Sequence, residues 1–141
     1  ETNLVKVSDQ VLSSVNNRAL FFLISDFMCD PVQIREALAR FRHKRHDVVL
    51  VQVLDRREVH FDFDETAPFV GLEGEGTIHV DSRSVRETYL EVFAKHQAEI
   101  QSIARGFGFD FEQINTHESV GPPLARLFAR RIAIARRNSR G

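Results

Sequence analysis

Ala19-Leu-Phe-Phe-Leu-Ile-Ser-Asp26 is an apolar run that stops on a carboxylate, and its reading decides the fold. A stretch this short and uniformly apolar suits a strand buried on both faces, as in a parallel sheet covered by helices. It is expected to be the central strand. Ligands of open α/β sheets bind beyond the carboxyl ends of the strands, so Ser25 and Asp26 fall where ion binding or chemistry belongs.

The next stretches extend this frame. Asp30-Pro-Val-Gln33 starts a helix with an N-cap acid and a proline at the first helical position, and Ile34, Leu38 and Phe41 form its buried stripe. Arg40, Arg42, His43, Lys44 and Arg45 complement the dipole at its end. Asp47-Val-Val-Leu-Val-Gln-Val-Leu54 then reads as a second buried strand ending on Asp55. Strand, helix, strand at this spacing is a βαβ unit with parallel strands, so Asp26 and Asp55 are expected at one edge of the sheet. Two acids there suit a divalent cation or an acid and base pair, although Asp is also a common turn residue.

Upstream, Leu4, Val7, Val11 and Val15 recur at helical spacing, with Thr2 or Asn3 as cap, predicting a helix to about Asn17. Downstream, Glu58-Val-His-Phe-Asp-Phe-Asp64 and Thr77-Ile-His-Val-Asp81 alternate like half-buried strands and form a β-hairpin-like arm. The polar face bearing His60, Asp62 and His79 reads as wetted rather than metal-binding. Ser84-Val-Arg-Glu87 opens the longest helix, with Val85, Tyr89, Val92, His96, Ile100, Ile103 and Phe107 facing inward and His96 as a packed core histidine. Phe109 to Ile114 is a third parallel strand, followed by a loop from Thr116 to Ser119 on the Asp26 and Asp55 side. Pro122 and Pro123 start a last helix whose Leu124, Leu127, Phe128 and Ile132 face inward. Its Arg126, Arg130, Arg131, Arg136, Arg137 and Arg140 read as a solvated basic face.

Composition bounds the function. The 141 residues are 43% hydrophobic and 28% charged, enough for one domain over residues 1–141. A net charge of -1 provides no overall attraction to nucleic acid or an anionic membrane. The single cysteine, Cys29, excludes an internal disulfide and a cysteine zinc cage, in keeping with a reducing compartment. No apolar stretch is long enough to span a membrane and no signal peptide is visible, so a soluble, cytoplasmic segment is expected. The chain begins with Glu1, which suggests a piece of a longer protein.

Thr2-Asn-Leu, the Ala19 to Phe27 run, and His46-Asp-Val-Val-Leu-Val-Gln-Val-Leu-Asp55 with Glu58 together resemble part of a bacterial family of unknown function. Its members contain a von Willebrand factor A-like domain and are often encoded beside MoxR-type AAA+ ATPases. The resemblance runs from Thr2 to about Arg130 and corresponds to the C-terminal half of that domain. It implies a Rossmann-like, doubly wound, mostly parallel sheet with a metal-ion-dependent adhesion site at the strand ends. By position, Thr2 matches the site's threonine and Asp26 its last aspartate, with Ser25, Asp55 and Glu58 as further candidates at the strand ends. The Asp-x-Ser-x-Ser motif does not occur in this sequence, so the implied site is partial. Mg²⁺ or Mn²⁺ is expected in a full-length domain and not tightly in this chain. The function implied is non-enzymatic protein binding, with a MoxR-type ATPase as partner. Self-association through an exposed sheet edge is also expected. The alternatives are a divalent-metal hydrolase or phosphotransferase using Asp26 and Asp55, and nucleic-acid binding by the arginine-rich tail.

Overall fold

The computed structural model describes residues 3–61 and 82–138. Among them the order is α1 (Leu4–Ser13), β1 (Leu20–Ser25), α2 (Pro31–His43), β2 (Asp47–Leu54), α3 (Arg56–His60), α4 (Ser82–Gly106), β3 (Asp110–Asn115) and α5 (Gly121–Asn138). The three strands form one parallel sheet in the order β1-β2-β3. The fold is therefore α/β and Rossmann-like, as the βαβ spacing requires.

Among the described strands β2, not β1, is central. Its Val48 and Leu50 are buried on one face with Ile34, Leu38 and Phe41 of α2 and Ile100, Ile103 and Ala104 of α4. Val49 and Val51 pack on the other face with Ile114 of β3 and Leu127 of α5. Helices thus cover both faces at β2, and α1 joins the first layer through Leu12 and the Arg40 to Asp9 ion pair at 2.8 Å. β1 behaves differently: among the described residues it has one strand neighbour and one covered face. Phe21 and Leu23 pack into the core, while Leu20, Phe22 and Ile24 on the opposite face are 41%, 44% and 67% exposed.

Capping chemistry sets several boundaries. The Asn3 side chain accepts from the backbone N–H of Lys6, and α1 ends at Ser13, short of Asn17. Asp30 caps α2 by accepting from Val32, with Pro31 at the first position. Glu58 to His60 does not form a strand. Asp55 and Glu58 make a reciprocal capping box, Arg57 N–H to Asp55 and Asp55 N–H to Glu58, which folds Arg56–His60 into a short helix. The rest of the proposed arm, including Asp62, Asp64 and Thr77 to Asp81, lies outside the described residues, as does Thr2.

The inward stripes are narrower than the periodicity suggests. Val92 on α4 is exposed, and on α5 Leu124 and Leu127 face the sheet while Phe128 and Ile132 are half exposed. The α5 arginines are not an unopposed basic face either. Arg126 and Arg130 both donate to the buried carboxylate of Glu112 on β3, at 2.9 and 2.6 Å. Arg131 donates to Asp47 and Asp110 at the amino ends of β2 and β3. Leu127→Ala is therefore expected to cost about 2–5 kcal/mol in urea unfolding, and Phe128→Ala under about 1 kcal/mol. Equal losses would mean that α5 is rotated from this placement.

Candidate functional site

Parallel pairing in the register Leu20↔Asp47 and Ser25↔Gln52 brings the carboxyl ends of β1 and β2 to one crest. The loop leaving β1 is held there by its own short side chains. Ser25 Oγ accepts from Phe27 N–H at 3.0 Å and donates to Asp26 Oδ1 at 3.2 Å. Asp26 Oδ1 also accepts from Met28 N–H, closing an Asx turn. Phe27 sits at φ 56°, a left-handed conformation that costs a bulky residue on the order of 1 kcal/mol or more. Its ring is buried, and its carbonyl accepts from His96 Nε2 on α4 at 2.9 Å, so packing and two hydrogen bonds hold the strained residue.

Gln52 fixes the loop from the neighbouring strand. The side chain is fully buried in an otherwise apolar strand and donates from Nε2 to the Asp26 carbonyl at 2.7 Å. An apolar residue there would leave that carbonyl without this donor. Its place in Val-Leu-Val-Gln-Val-Leu was the available signal, since a buried amide inside an apolar run demands a partner. His96 is the packed, hydrogen-bonded residue that its helical position predicts.

Two clefts meet at this loop. One, of about 270 Å³, is lined by Leu4 at the start of α1, Ser25, Asp26, Met28, Cys29 and Gln33. The other, about 380 Å³ and largely apolar, lies between Met28, Cys29 and Asp30 on one side and Tyr89, Val92, Phe93 and His96 of α4 on the other. Asp26 and Met28 are exposed between them. Burial, then the carboxylates of Asp26 and Asp30, push the Cys29 thiol above its ordinary pKa, so it is protonated at neutral pH.

Among the described residues the crest holds only part of the oxygen set a divalent cation needs. Ser25 Oγ and Asp26 Oδ1 are both engaged within the turn. Mg²⁺ demands near-octahedral oxygen coordination. Among the described residues no group of three or more His, Cys, Asp or Glu side chains could hold a metal ion. Thr2, the other matched position, lies outside them.

Asp55 lies at the same crest, after β2, but serves a different structure. Its Oδ1 caps α3, and Oδ2 accepts from the Thr116 hydroxyl at 3.2 Å. Because that hydroxyl's proton points to Asp55, the 3.1 Å contact between Thr116 Oγ1 and His117 Nδ1 has the histidine as donor. This order braces the cap and does not activate Thr116 as a nucleophile. Glu58 completes the cap from the other side, its side chain accepting from the Asp55 N–H.

An all-parallel sheet with helices on both faces and a polar loop at its carboxyl crest defines a doubly wound α/β domain. The model of a family described as Protein of unknown function DUF58 matches residues 1–99, well over half the chain, and the chain belongs to that family. The match ends within α4, so β3 and α5 lie beyond it. No curated protein and no solved structure matches the chain. No described helix is long and apolar enough to cross a membrane.

The backbone N–H of Arg57 holds the Asp55 carboxyl below its ordinary value of 3.8 against opposing desolvation, with help from the Thr116 hydroxyl and the His117 and Arg57 charges. A depressed folded pKa stabilises the fold above the unfolded value, and that contribution disappears as pH falls through the lower folded value. A carboxyl-carbon NMR titration of Asp55 is expected to give a midpoint below 3.8, moving upward in Thr116→Val. A midpoint at or above that value would contradict the cap geometry.

Proposed function

We propose that this chain is a non-enzymatic protein-binding domain of the von Willebrand factor A-like type, acting in the cytoplasm within a chaperone-like or assembly system. A MoxR-type AAA+ ATPase is the proposed partner. The observation that supports binding at the crest is the β1 loop itself. It presents an exposed carboxylate, Asp26, and an exposed Met28 on a cross-braced turn between two clefts. A rigid loop carrying one charged and one apolar contact loses little conformational entropy on binding. Methionine also adapts its shape to an apolar partner surface.

The likeness to the adhesion domain is one of position. Asp26 follows a parallel strand and faces the cleft bounded by the start of α1, where that domain's site would stand. With the oxygen donors described above, the proposed binding uses Asp26 directly as an acceptor for a partner's donor groups, and neither Mg²⁺ nor Mn²⁺ binds this chain tightly.

Immobilised chain is expected to retain a MoxR-type ATPase, with Asp26→Ala and Met28→Asp each weakening retention by about tenfold or more. Calorimetric titration with Mg²⁺ or Mn²⁺ should show no strong binding. Retention indifferent to both substitutions would remove the crest from the interface. Phosphoesterase turnover abolished by Asp26→Asn would overturn the non-enzymatic reading.

A further inference from the structure

We propose that the end of the sheet opposite the crest, where β1, β2 and β3 begin, docks against a membrane surface bearing anionic lipid headgroups. The surface is separate from the crest, and the proposal does not depend on the partner-binding reading.

The net charge of -1 conceals a segregation of charge. Parallel strands with helices returning between them bring the α1 to β1 loop, the α2 to β2 turn and the α4 to β3 turn to one end. These connections and the helix ends before them carry Arg18, then Arg42, Lys44 and Arg45, then Arg105, all exposed. None of these five side chains has an ion-pair partner among the described residues, and the carboxylates that begin β2 and β3, Asp47 and Asp110, are both taken by Arg131. Helix dipoles account for Arg42 and Arg105 in the last turns of α2 and α4. They do not account for Arg18, which lies outside any helix. All three turns are made of described residues, and α3 and the start of α4, which flank residues 62–81 and meet through Arg86 and the His60 carbonyl, lie toward the crest. A further strand pairing with β1 would extend this end sideways without lying across it.

Arg45 stands where the backbone favours glycine. α2 ends with His46 N–H donating to the Phe41 carbonyl and Arg45 N–H to the Arg42 carbonyl, each at 3.0 Å. α4 ends in the same motif, Phe109 N–H to Ala104 at 3.0 Å and Gly108 N–H to Arg105 at 2.9 Å. The left-handed residue is Gly108 in α4, at φ 72°, and Arg45 in α2, at φ 59°. Folding alone would favour glycine at both, so a cation held there against strain needs a task outside the fold. Three features make the anion a lipid. No aromatic side chain is exposed among the described residues at this end for bases to stack on. The end presents helix C-termini, whose carbonyls oppose the tight seating of one phosphate that an N-terminus favours. Beside it a groove of about 420 Å³ lies between α1 and α2, lined by Leu12 and Ala39, with His43 and Lys44 at its basic end. The carboxylates of that groove, Asp9 and Glu36, both face Arg40. Apolar volume beside unpaired cations suits an amphiphile with an anionic head.

The 141-residue chain should sediment with vesicles of about 30% phosphatidylserine in phosphatidylcholine, and not with phosphatidylcholine alone. Binding should fall about fivefold or more as salt rises from about 50 to about 300 mM. Arg45→Gly should weaken binding about fivefold while raising the urea midpoint of unfolding, since it removes a charge and a strained side chain together. Lys44→Glu should weaken binding about twentyfold or more with circular dichroism unchanged. Soluble glycerophosphoserine at about 10 mM and constant ionic strength should not release the chain, because it lacks the apolar part. No sedimentation with the phosphatidylserine vesicles, equal binding to phosphatidylcholine, or release by the soluble headgroup would overturn the proposal. So would tighter binding to a short DNA duplex at the same phosphate concentration, or full vesicle affinity in both variants. An Arg45→Gly chain that unfolds more easily would make Arg45 a residue of the fold and overturn its assignment to the surface.

Discussion

β2 is the constraint on which the described structure depends, because it is bonded along both edges and covered on both faces. Its residues at even positions fill one helix layer and those at odd positions the other, so a slip in register would disturb both packed faces. Electrostatics sets its amino end. Asp47 and Asp110 begin adjacent parallel strands, and Arg131 lies between them, donating to both. Without that guanidinium the two carboxylates would repel across the start of the β2 and β3 pair. The ion pairs keep the Arg131 guanidinium strongly protonated against the opposing effect of burial.

At the other end of the strand, a single buried amide relates β2 to the crest. Gln52 reaches across to the Asp26 carbonyl, and His96 reaches down from α4 to the Phe27 carbonyl. The loop thus accepts from the sheet on one side and a helix on the other. That double anchorage explains how a phenylalanine can keep a left-handed backbone, since the strain is offset by a buried ring and satisfied carbonyls. The exposed Asp26 side chain consequently rests on a backbone that its surroundings over-determine.

Much of this was legible in the residues, and the exceptions have physical reasons. Apolar runs separated by one capped helix required a parallel pair, and the short caps at Asn3 and Asp30 were readable directly. A uniformly apolar run does not say whether both faces are covered, so Ala19 to Asp26 reads as central although, among the described residues, β1 has one covered face. Glu58-Val-His-Phe alternates in polarity, yet the local reciprocal bonds of Asp55 and Glu58 prevail over that pattern. Arg126, Arg130 and Arg131 have no acid in their own helix, and their counter-charges come from β2 and β3, distant in sequence. Pairing across such separations is not encoded in local spacing. The cap role of Asp55 and Glu58 was locally readable, whereas the brace from Thr116 required the fold.

The same ion pairs help to set where α5 lies on the sheet. Arg126 and Arg130 tether α5 to Glu112 on β3, and Arg131 tethers it to the amino ends of β2 and β3. Leu124 and Leu127 then lie against Val49, Val51 and Val53, and α5 covers the β2 and β3 half of its face. Phe22 and Ile24 stand in the same rows as Val49 and Val51, yet beyond that cover. Phe128 and Ile132 are left half exposed on the helix. Apolar side chains are thus present on both the uncovered strand and the helix above the sheet, a distribution that a surface built only for water would avoid. Charge and the Leu124 and Leu127 contacts together set the position of α5 over the β2 and β3 half of the sheet.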